Sequence, residues 1–430
     1  MPRFPLTSTA YVPERAILVG VEWRDSSWPL DKSLDELERL ADTAGAQVVG
    51  RMTQRLETPT PKTFIGSGKV LELKQLVSSL DVDTVIFDDE LTPSQQANLE
   101  KLIGSPTKII DRTALILDIF GLHARTKEGR LQVQLAQLQY LLPRLRGMWS
   151  HLAGEQTRGG IGSRFGQGES QLEVDRRLIR DKISSLKKEL KALEKRREVQ
   201  SKSRYESYAY RIALAGYTNA GKSTLLNQIT GSNVLSQDKL FATLDPTTRS
   251  YALPGGREIT ITDTVGFIQK LPHNLVESFK STLLEVKKAD LILEVIDASD
   301  PENLRQIDAV NEVLKEIHAE EQTRIIVYNK CDLVPQEQID HLVRITSSSV
   351  AFSALTGQGR EDLINLISEV AAQSDETISI HIPYKEGELL RIIHEQSNVL
   401  HEEYTDTGAD IVLKAPNYLT KRLEQYIITA

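Results

Sequence analysis

The segment Arg211-Ile212-Ala213-Leu214-Ala215-Gly216-Tyr217-Thr218-Asn219-Ala220-Gly221-Lys222-Ser223, continuing as TLLNQI over 224–229, decides the architecture. RIALA reads as a buried strand, GYTNAGKS as a glycine-rich turn and STLLNQI as the start of a helix. That strand, loop and helix context is what a Walker A phosphate loop requires. Backbone N–H groups of such a loop wrap phosphates, and the helix N-terminus adds a favourable dipole. Gly216, Tyr217, Thr218, Asn219, Ala220, Gly221, Lys222 and Ser223 are therefore the first candidate nucleotide contacts. Lys222 is expected to reach the β- and γ-phosphates, and Ser223 to ligate Mg2+.

The remaining parts of a guanine-nucleotide site follow in chain order. Asp263-Thr264-Val265-Gly266 ends an apolar strand, placing Asp263 to hold Mg2+ through water and the Gly266 N–H to meet the γ-phosphate. Asn329-Lys330-Cys331-Asp332 follows the strand RIIVY, where the Asp332 carboxylate can accept from guanine N1–H and the exocyclic amine. Adenine presents a different edge, so the motif selects GTP over ATP. Ser353-Ala354-Leu355 completes the base pocket. Phe241-Ala242-Thr243-Leu244-Asp245 reads as a first switch, with Thr243 the second protein ligand of Mg2+. Each piece is short, but their order at successive strand ends defines a P-loop (Ras-like) GTPase domain.

Outward from this centre, Arg211–Gly216, Glu258–Asp263, Leu291–Asp297, Arg324–Asn329 and Val350–Ser353 are strand-like and alternate with helices over a G domain spanning 207–373. Residues 1–124 show the same alternation, with strands at 16–22, 46–51, 84–89 and 108–111 and helices at 31–44, 67–80 and 93–103. They predict an α/β domain with a small parallel sheet. Thr92-Pro93 reads as a helix cap followed by proline in the first turn. In 125–206, Leu131, Leu135, Leu138, Leu142 and Leu145 form a heptad-like stripe, as do Leu172, Ile179, Ile183, Leu186, Leu190 and Leu193. Two such helices predict a long antiparallel hairpin or coiled coil, joined by a glycine-rich loop at 154–168. Residues 374–430 read as a small α+β domain.

The chain has 430 residues, with 40% hydrophobic and 26% charged, an ordinary globular composition. No apolar run approaches the roughly 20 residues of a membrane span, so no stable membrane insertion is expected. A single cysteine, Cys331, excludes an internal disulfide framework and a cysteine-cluster metal site. With no secretory signal in view, a cytoplasmic location is the expectation. The net charge of −8 speaks against a nucleic-acid partner until its distribution is considered. Residues 125–206 carry 19 Lys plus Arg against 10 Asp plus Glu, leaving −17 for the rest. Arg144, Arg146, Arg158 and Arg164 lie beside Trp149, His151 and Phe165 around the glycine-rich loop. Cations for phosphates and rings for unpaired bases suit an RNA partner.

FATLDPTTR at 241–249 and DTVGF at 263–267 make the chain resemble the HflX family within the Obg-related GTPases. The resemblance extends to FIGSGKV at 64–70, RLQVQLAQLQYLLPRL at 130–145 and GGIGSRFGQGESQLE at 159–173. One departure is the loop reading GSRFGQGES, where the family more often has GTRGPGET. The resemblance implies an N-terminal α/β domain with a helical hairpin, a G domain and a small C-terminal domain. It further implies binding to the large (50S) ribosomal subunit and GTP-dependent dissociation of stalled or idle ribosomes, the hairpin tip entering ribosomal RNA. A nucleotide-gated RNA-binding scaffold and a large-subunit assembly factor are the alternatives. Off the ribosome a monomer is expected.

Two positions qualify the chemistry. Phe267 stands where Ras-like enzymes carry the glutamine that orients the attacking water. Intrinsic hydrolysis is thus expected to be slow and to need a group supplied from outside. Related GTPases with an asparagine at this point of the phosphate loop can hold K+ against the phosphates, and bracing of the loop is the other role for Asn219. Gly66-Ser67-Gly68-Lys69 looks like half a phosphate loop, for which a separate ATP site is the alternative, but the first glycine is missing and Val70 replaces the hydroxyl residue, so a simple turn into a helix is expected. The histidines show no metal-ligand spacing, so no metal besides Mg2+ and K+ is anticipated.

Overall fold

The computed structural model describes residues 13–24, 28–156, 171–205, 210–232, 240–241, 243–254, 256–270 and 280–428. They fall into two compact units, one reaching Lys188 and the other running from Glu189 onward.

The first unit is built on β1 (Arg15–Glu22), β2 (Gln47–Arg55), β3 (Thr84–Phe87) and β4 (Lys108–Asp111), all parallel in the order β2-β1-β3-β4. Parallel strands need crossovers, supplied here by α1 (Leu30–Thr43), α2 (Ser67–Leu80) and α3 (Pro93–Ile103). α1 turns Leu34, Leu37, Leu40 and Ala41 inward, the spacing of one helical face. α3 opens with a full capping box: the Gln95 N–H donates to Thr92 Oγ1 at 3.3 Å, and the Thr92 N–H to Gln95 Oε1 at 2.9 Å. Gly66 proves to be the residue that opens α2, its N–H donating to Gln54 Oε1 at 3.0 Å, while Lys69 pairs with Glu72. It is the turn into a helix that the sequence suggests.

α4 (Arg112–His123) and the long α5 (Lys127–Gln156) follow. α5 packs on α3 and α4, burying Val133, Leu135, Ala136 and Leu145, so its heptad stripe serves the sheet domain first. The helix also runs through 154–156, positions expected in the glycine-rich loop; residues 157–170, with Arg158, Arg164 and Phe165, lie outside the described residues. α6 (Gln171–Tyr205) buries Leu186 and exposes Arg177, Arg180, Lys182, Lys187, Lys191 and Arg196.

One arginine grouped with the RNA-facing set points elsewhere. Arg144 is buried; its guanidinium donates to Leu91 O at 2.7 Å, Asp111 Oδ2 at 3.2 Å and Gln96 Oε1 at 3.1 Å. It also lies 3.5 Å from the centre of the Tyr140 ring, whose hydroxyl donates to Asp111 Oδ1 at 2.9 Å. The positive charge neutralises a fully buried carboxylate, so it is not available to a phosphate.

The second unit holds a six-stranded sheet of order β10-β9-β8-β5-β7-β6. Its strands are β5 (Tyr210–Gly216), β6 (Thr247–Ala252), β7 (Glu258–Asp263), β8 (Leu291–Asp297), β9 (Arg324–Asn329) and β10 (Ser349–Ala351). All are parallel except β6, which pairs antiparallel with β7. β6 carries no apolar pattern because it is an edge strand with mostly exposed side chains, and sequence reasoning passed over it. Helices α7 (Lys222–Thr230), α8 (Lys280–Lys287), α9 (Asn303–Glu316) and α10 (Gln336–Ile345) connect its strands, and α11 (Arg360–Gln373) follows the last of them.

Beyond them, β11 (Glu376–Pro383), β12 (Asn398–Tyr404) and β13 (Gly408–Ala415) make an antiparallel sheet of order β11-β13-β12, with α12 (Gly387–Gln396) and α13 (Asn417–Leu423). Ile380, Ile382, Ile393, Ile411, Leu413 and Leu419 form its core. Arg257 ties this part to the G domain by donating to Ala371 O and Asp375 Oδ1, both at 2.9 Å. No helix among the described residues is long and apolar enough to cross a membrane.

Arg144→Met is expected to destabilise the first unit by about 3 kcal/mol, since Asp111 would stay buried without its cation. Denaturant unfolding of the full chain measures this.

Candidate functional site

Parallel α/β sheets present their loops, and their ligands, at the carboxyl ends of the strands. Gly216 ends β5, Asp263 ends β7, Asp297 ends β8 and Asn329 ends β9, so the motifs that are far apart in sequence share one edge. The loop after β5 is tight. Asn219 lies at φ 61° and Gly221 at φ 93°, left-handed values that bring the backbone round into α7. At Gly221 a Cβ would stand 2.2 Å from Asn329 Nδ2, so glycine is required there both by conformation and by space.

Asn329 joins three motifs. Its Nδ2 donates to Ala220 O at 2.7 Å, and its Oδ1 accepts from the Ala354 N–H at 2.9 Å. Lys330, at φ 60°, sends its ammonium to Asp297 Oδ2 at 2.6 Å, and Cys331 is buried with its N–H donating to Phe352 O at 3.2 Å. Burial pushes the Cys331 thiol above its usual range, as does the neighbouring Asp332. Asp332 itself is exposed, as is Leu355, whereas Ser353 is fully buried and its Oγ accepts from the Thr356 N–H at 3.2 Å. Asp297 was not anticipated. An apolar strand ending in aspartate, as LILEVID does, was the available signal.

At the phosphate end, Lys222 is buried and its ammonium donates to Gly216 O at 3.0 Å and Tyr217 O at 2.8 Å. Burial pulls its pKa down to about 8, opposed by the charge of Asp263. The Asp263 carboxyl is pushed up by burial and pulled back by Lys222, Ser223 and Thr243. Ser223 Oγ donates to Asp263 Oδ2 at 2.6 Å and lies 2.9 Å from Thr243 Oγ1. Asp263 Oδ1 is buried without a hydrogen-bond partner. Two hydroxyls and a carboxylate with an unused buried oxygen are the hard donors Mg2+ takes. The site residues thus fit that ion.

Phe241, at φ 56°, and Leu244 are buried, Asp245 is half-buried, and Ala242 lies outside the described residues. Thr264 donates its hydroxyl to Leu214 O at 2.7 Å, and Val265 is buried. Phe267 is only 1% exposed and cannot hydrogen-bond through its ring. Gln269, also buried, belongs to the same segment and was missed. Nothing in the local pattern separates a buried glutamine from an exposed one.

Taken together, a phosphate loop, Mg2+-type oxygens and a guanine-type motif on one sheet edge define a P-loop guanine-nucleotide hydrolase. Family models described as "GTP-binding GTPase N-terminal", "GTP-binding GTPase Middle Region" and "50S ribosome-binding GTPase" match residues 31–121, 123–204 and 211–330. The GTPase HflX of Caldanaerobacter subterraneus subsp. tengcongensis is 45% identical over 97% of this chain and 94% of its own. The GTPase HflX of Escherichia coli K12 is 41% identical over 93% of each chain. Among solved structures, a GTP-binding protein of Sulfolobus solfataricus in complex with GDP is similar over 84% of this chain and 99% of its own. Its TM-score is 0.44, with 23% identity. The chain belongs to the HflX family of GTPases, and its reaction is GTP hydrolysis.

Asp332→Asn is expected to shift nucleotide preference from GTP toward xanthosine triphosphate by at least about tenfold. Xanthine carries a carbonyl where guanine has its amine, so an amide donor fits it and a carboxylate does not. Competition binding with both nucleotides measures the ratio.

Proposed function

We propose that this GTPase binds the large (50S) ribosomal subunit and dissociates stalled or idle ribosomes, working in the cytoplasm and as a monomer off the ribosome. The observation that supports this most is the distribution of charge. A protein of net charge −8 gathers exposed Arg177, Arg180, Lys182, Lys187, Lys191 and Arg196 on one long helix, in the segment that precedes its G domain in sequence. Such a cationic helix meets phosphates by counterion release. The acidic remainder limits indiscriminate RNA binding. The family model that matches 211–330, described as "50S ribosome-binding GTPase", agrees with that partner.

In this reading Lys222 contacts the β- and γ-phosphates and Gly266 N–H the γ-phosphate. Ser223 and Thr243 ligate Mg2+, with Asp263 acting through water. Asp332, with Ser353, Ala354 and Leu355, holds the base. With GTP bound, Thr243 and Gly266 keep both switches ordered, and loss of the γ-phosphate releases them. Subunit separation then needs GTP binding, and hydrolysis times release. Because Phe267 offers no hydrogen bond to water, the ribosome supplies the missing stabilisation. Asn219, in the left-handed crest of the phosphate loop, is proposed to bring K+ against the phosphates, adding positive charge where negative charge develops.

Sucrose gradients of intact ribosomes incubated with the protein test the reading. Free subunits are expected with GTP and with a non-hydrolysable analogue, and not with GDP. Binding without separation would favour the scaffold role, and immature large subunits on depletion would favour assembly. Single-turnover hydrolysis is expected to rise about 100-fold with added large subunits; an unchanged rate would refute the external catalytic group. Hydrolysis is also expected to be faster in KCl than in NaCl, and equal rates would remove K+ from the site.

A further inference from the structure

The residues after Asp263 are docked on the phosphate loop itself. Residues 217 and 267 form a parallel bridge: the Phe267 N–H donates to Gly216 O at 3.1 Å, and the Thr218 N–H donates to Phe267 O at 2.7 Å. Two residues further on, the Gln269 N–H donates to the phenolic oxygen of Tyr217 at 2.7 Å. Upstream, Thr264 is held to Leu214 by its hydroxyl. Between these anchors a Cβ on Gly266 would stand 2.9 Å from Thr218 Cα and 3.0 Å from Lys222 Nζ, so this backbone lies directly against the phosphate-binding residues.

This geometry matters because the side chain at 267 is a buried phenyl ring. Any positioning this segment gives to the γ-phosphate or its water must come from the main chain of Gly266 and Phe267. A main chain is accurate only where both of its ends are held. Tyr217 is 5% exposed, and a phenylalanine would fill the same space. A buried phenol needs a polar partner, and this one receives an N–H of the second switch.

We propose that Tyr217, although part of the phosphate-loop sequence, is a positioning residue for hydrolysis: its hydroxyl fixes the downstream end of the second switch. The proposal rests on reading 263–269 as that switch. Loss of the hydroxyl lets the 266–269 backbone move away from the phosphate loop, while the contacts to the β-phosphate and the base stay in place. The effect belongs in the chemical step and not in nucleotide affinity.

The test is Tyr217→Phe in the full chain, which keeps the ring packing. The kcat for GTP is expected to fall about five- to tenfold, the worth of one hydrogen bond, with KM for GTP and Kd for GDP within about twofold of the parent. Amide exchange of the peptide holding Gln269 is expected to quicken, with the peptide holding Asn329 unchanged. A parent-like kcat, or a loss of kcat matched by equal losses of GTP and GDP affinity, would overturn the proposal. Gly266→Ala distinguishes the two layers: hydrolysis unchanged in that variant would refute the second-switch reading itself.

Discussion

The nucleotide site depends on the carboxamide of Asn329. Its donor end holds the phosphate loop at Ala220 O and its acceptor end holds the base-side loop at the Ala354 N–H. β8 lies between β9 and β5 in the sheet, so this one side chain links loops whose strands are not neighbours. Asparagine is suited to this because it carries a donor and an acceptor on one short planar group. Aspartate would present acceptors only, toward a carbonyl that cannot donate. The same constraint excludes a side chain at Gly221, and Lys330 pins the following turn to Asp297. The distance between phosphate and base pockets is thereby set by the protein.

Charge is handled differently in the two units. Around the G-domain site, burial pulls Lys222 down and pushes Asp263 up, each partly offset by the charge of the other. In the first unit the buried guanidiniums of Arg112 and Arg144 are matched by carboxylates. Arg112 pairs with Glu36 and with Asp88, which also accepts from Ser33 Oγ at 2.6 Å, and Arg144 pairs with Asp111. These pairs sit where strand ends meet helices, and breaking them would leave charges without water or partner. That is why Arg144 serves the fold while the exposed cations of α6 remain on the surface.

Much of this was legible before any coordinates. The helix cap at Thr92, the strand segments and the turn at Gly66 were legible because their signals lie within a few residues of each other. The phosphate loop was legible for the same reason, since strand, glycine turn and helix are contiguous. β6 was not, because an edge strand has no buried face to write a pattern. Arg144 was misplaced because an arginine beside an aromatic reads alike whether it faces RNA or a buried aspartate.

The sequence by itself determined which chemistry is present: a phosphate-loop motif, a guanine-type motif ending in Asp332, Mg2+-type hydroxyls and no glutamine at position 267. These follow from residue type and short spacing, which survive without a fold. The tertiary structure alone decided which groups touch. It gave the Tyr217 hydroxyl to the Gln269 N–H, Asp297 to Lys330, and Arg144 to the interior. Such pairings join residues 33 to 52 positions apart. Partners that distant meet only when strand order and helix packing bring them together, and no local pattern records that meeting.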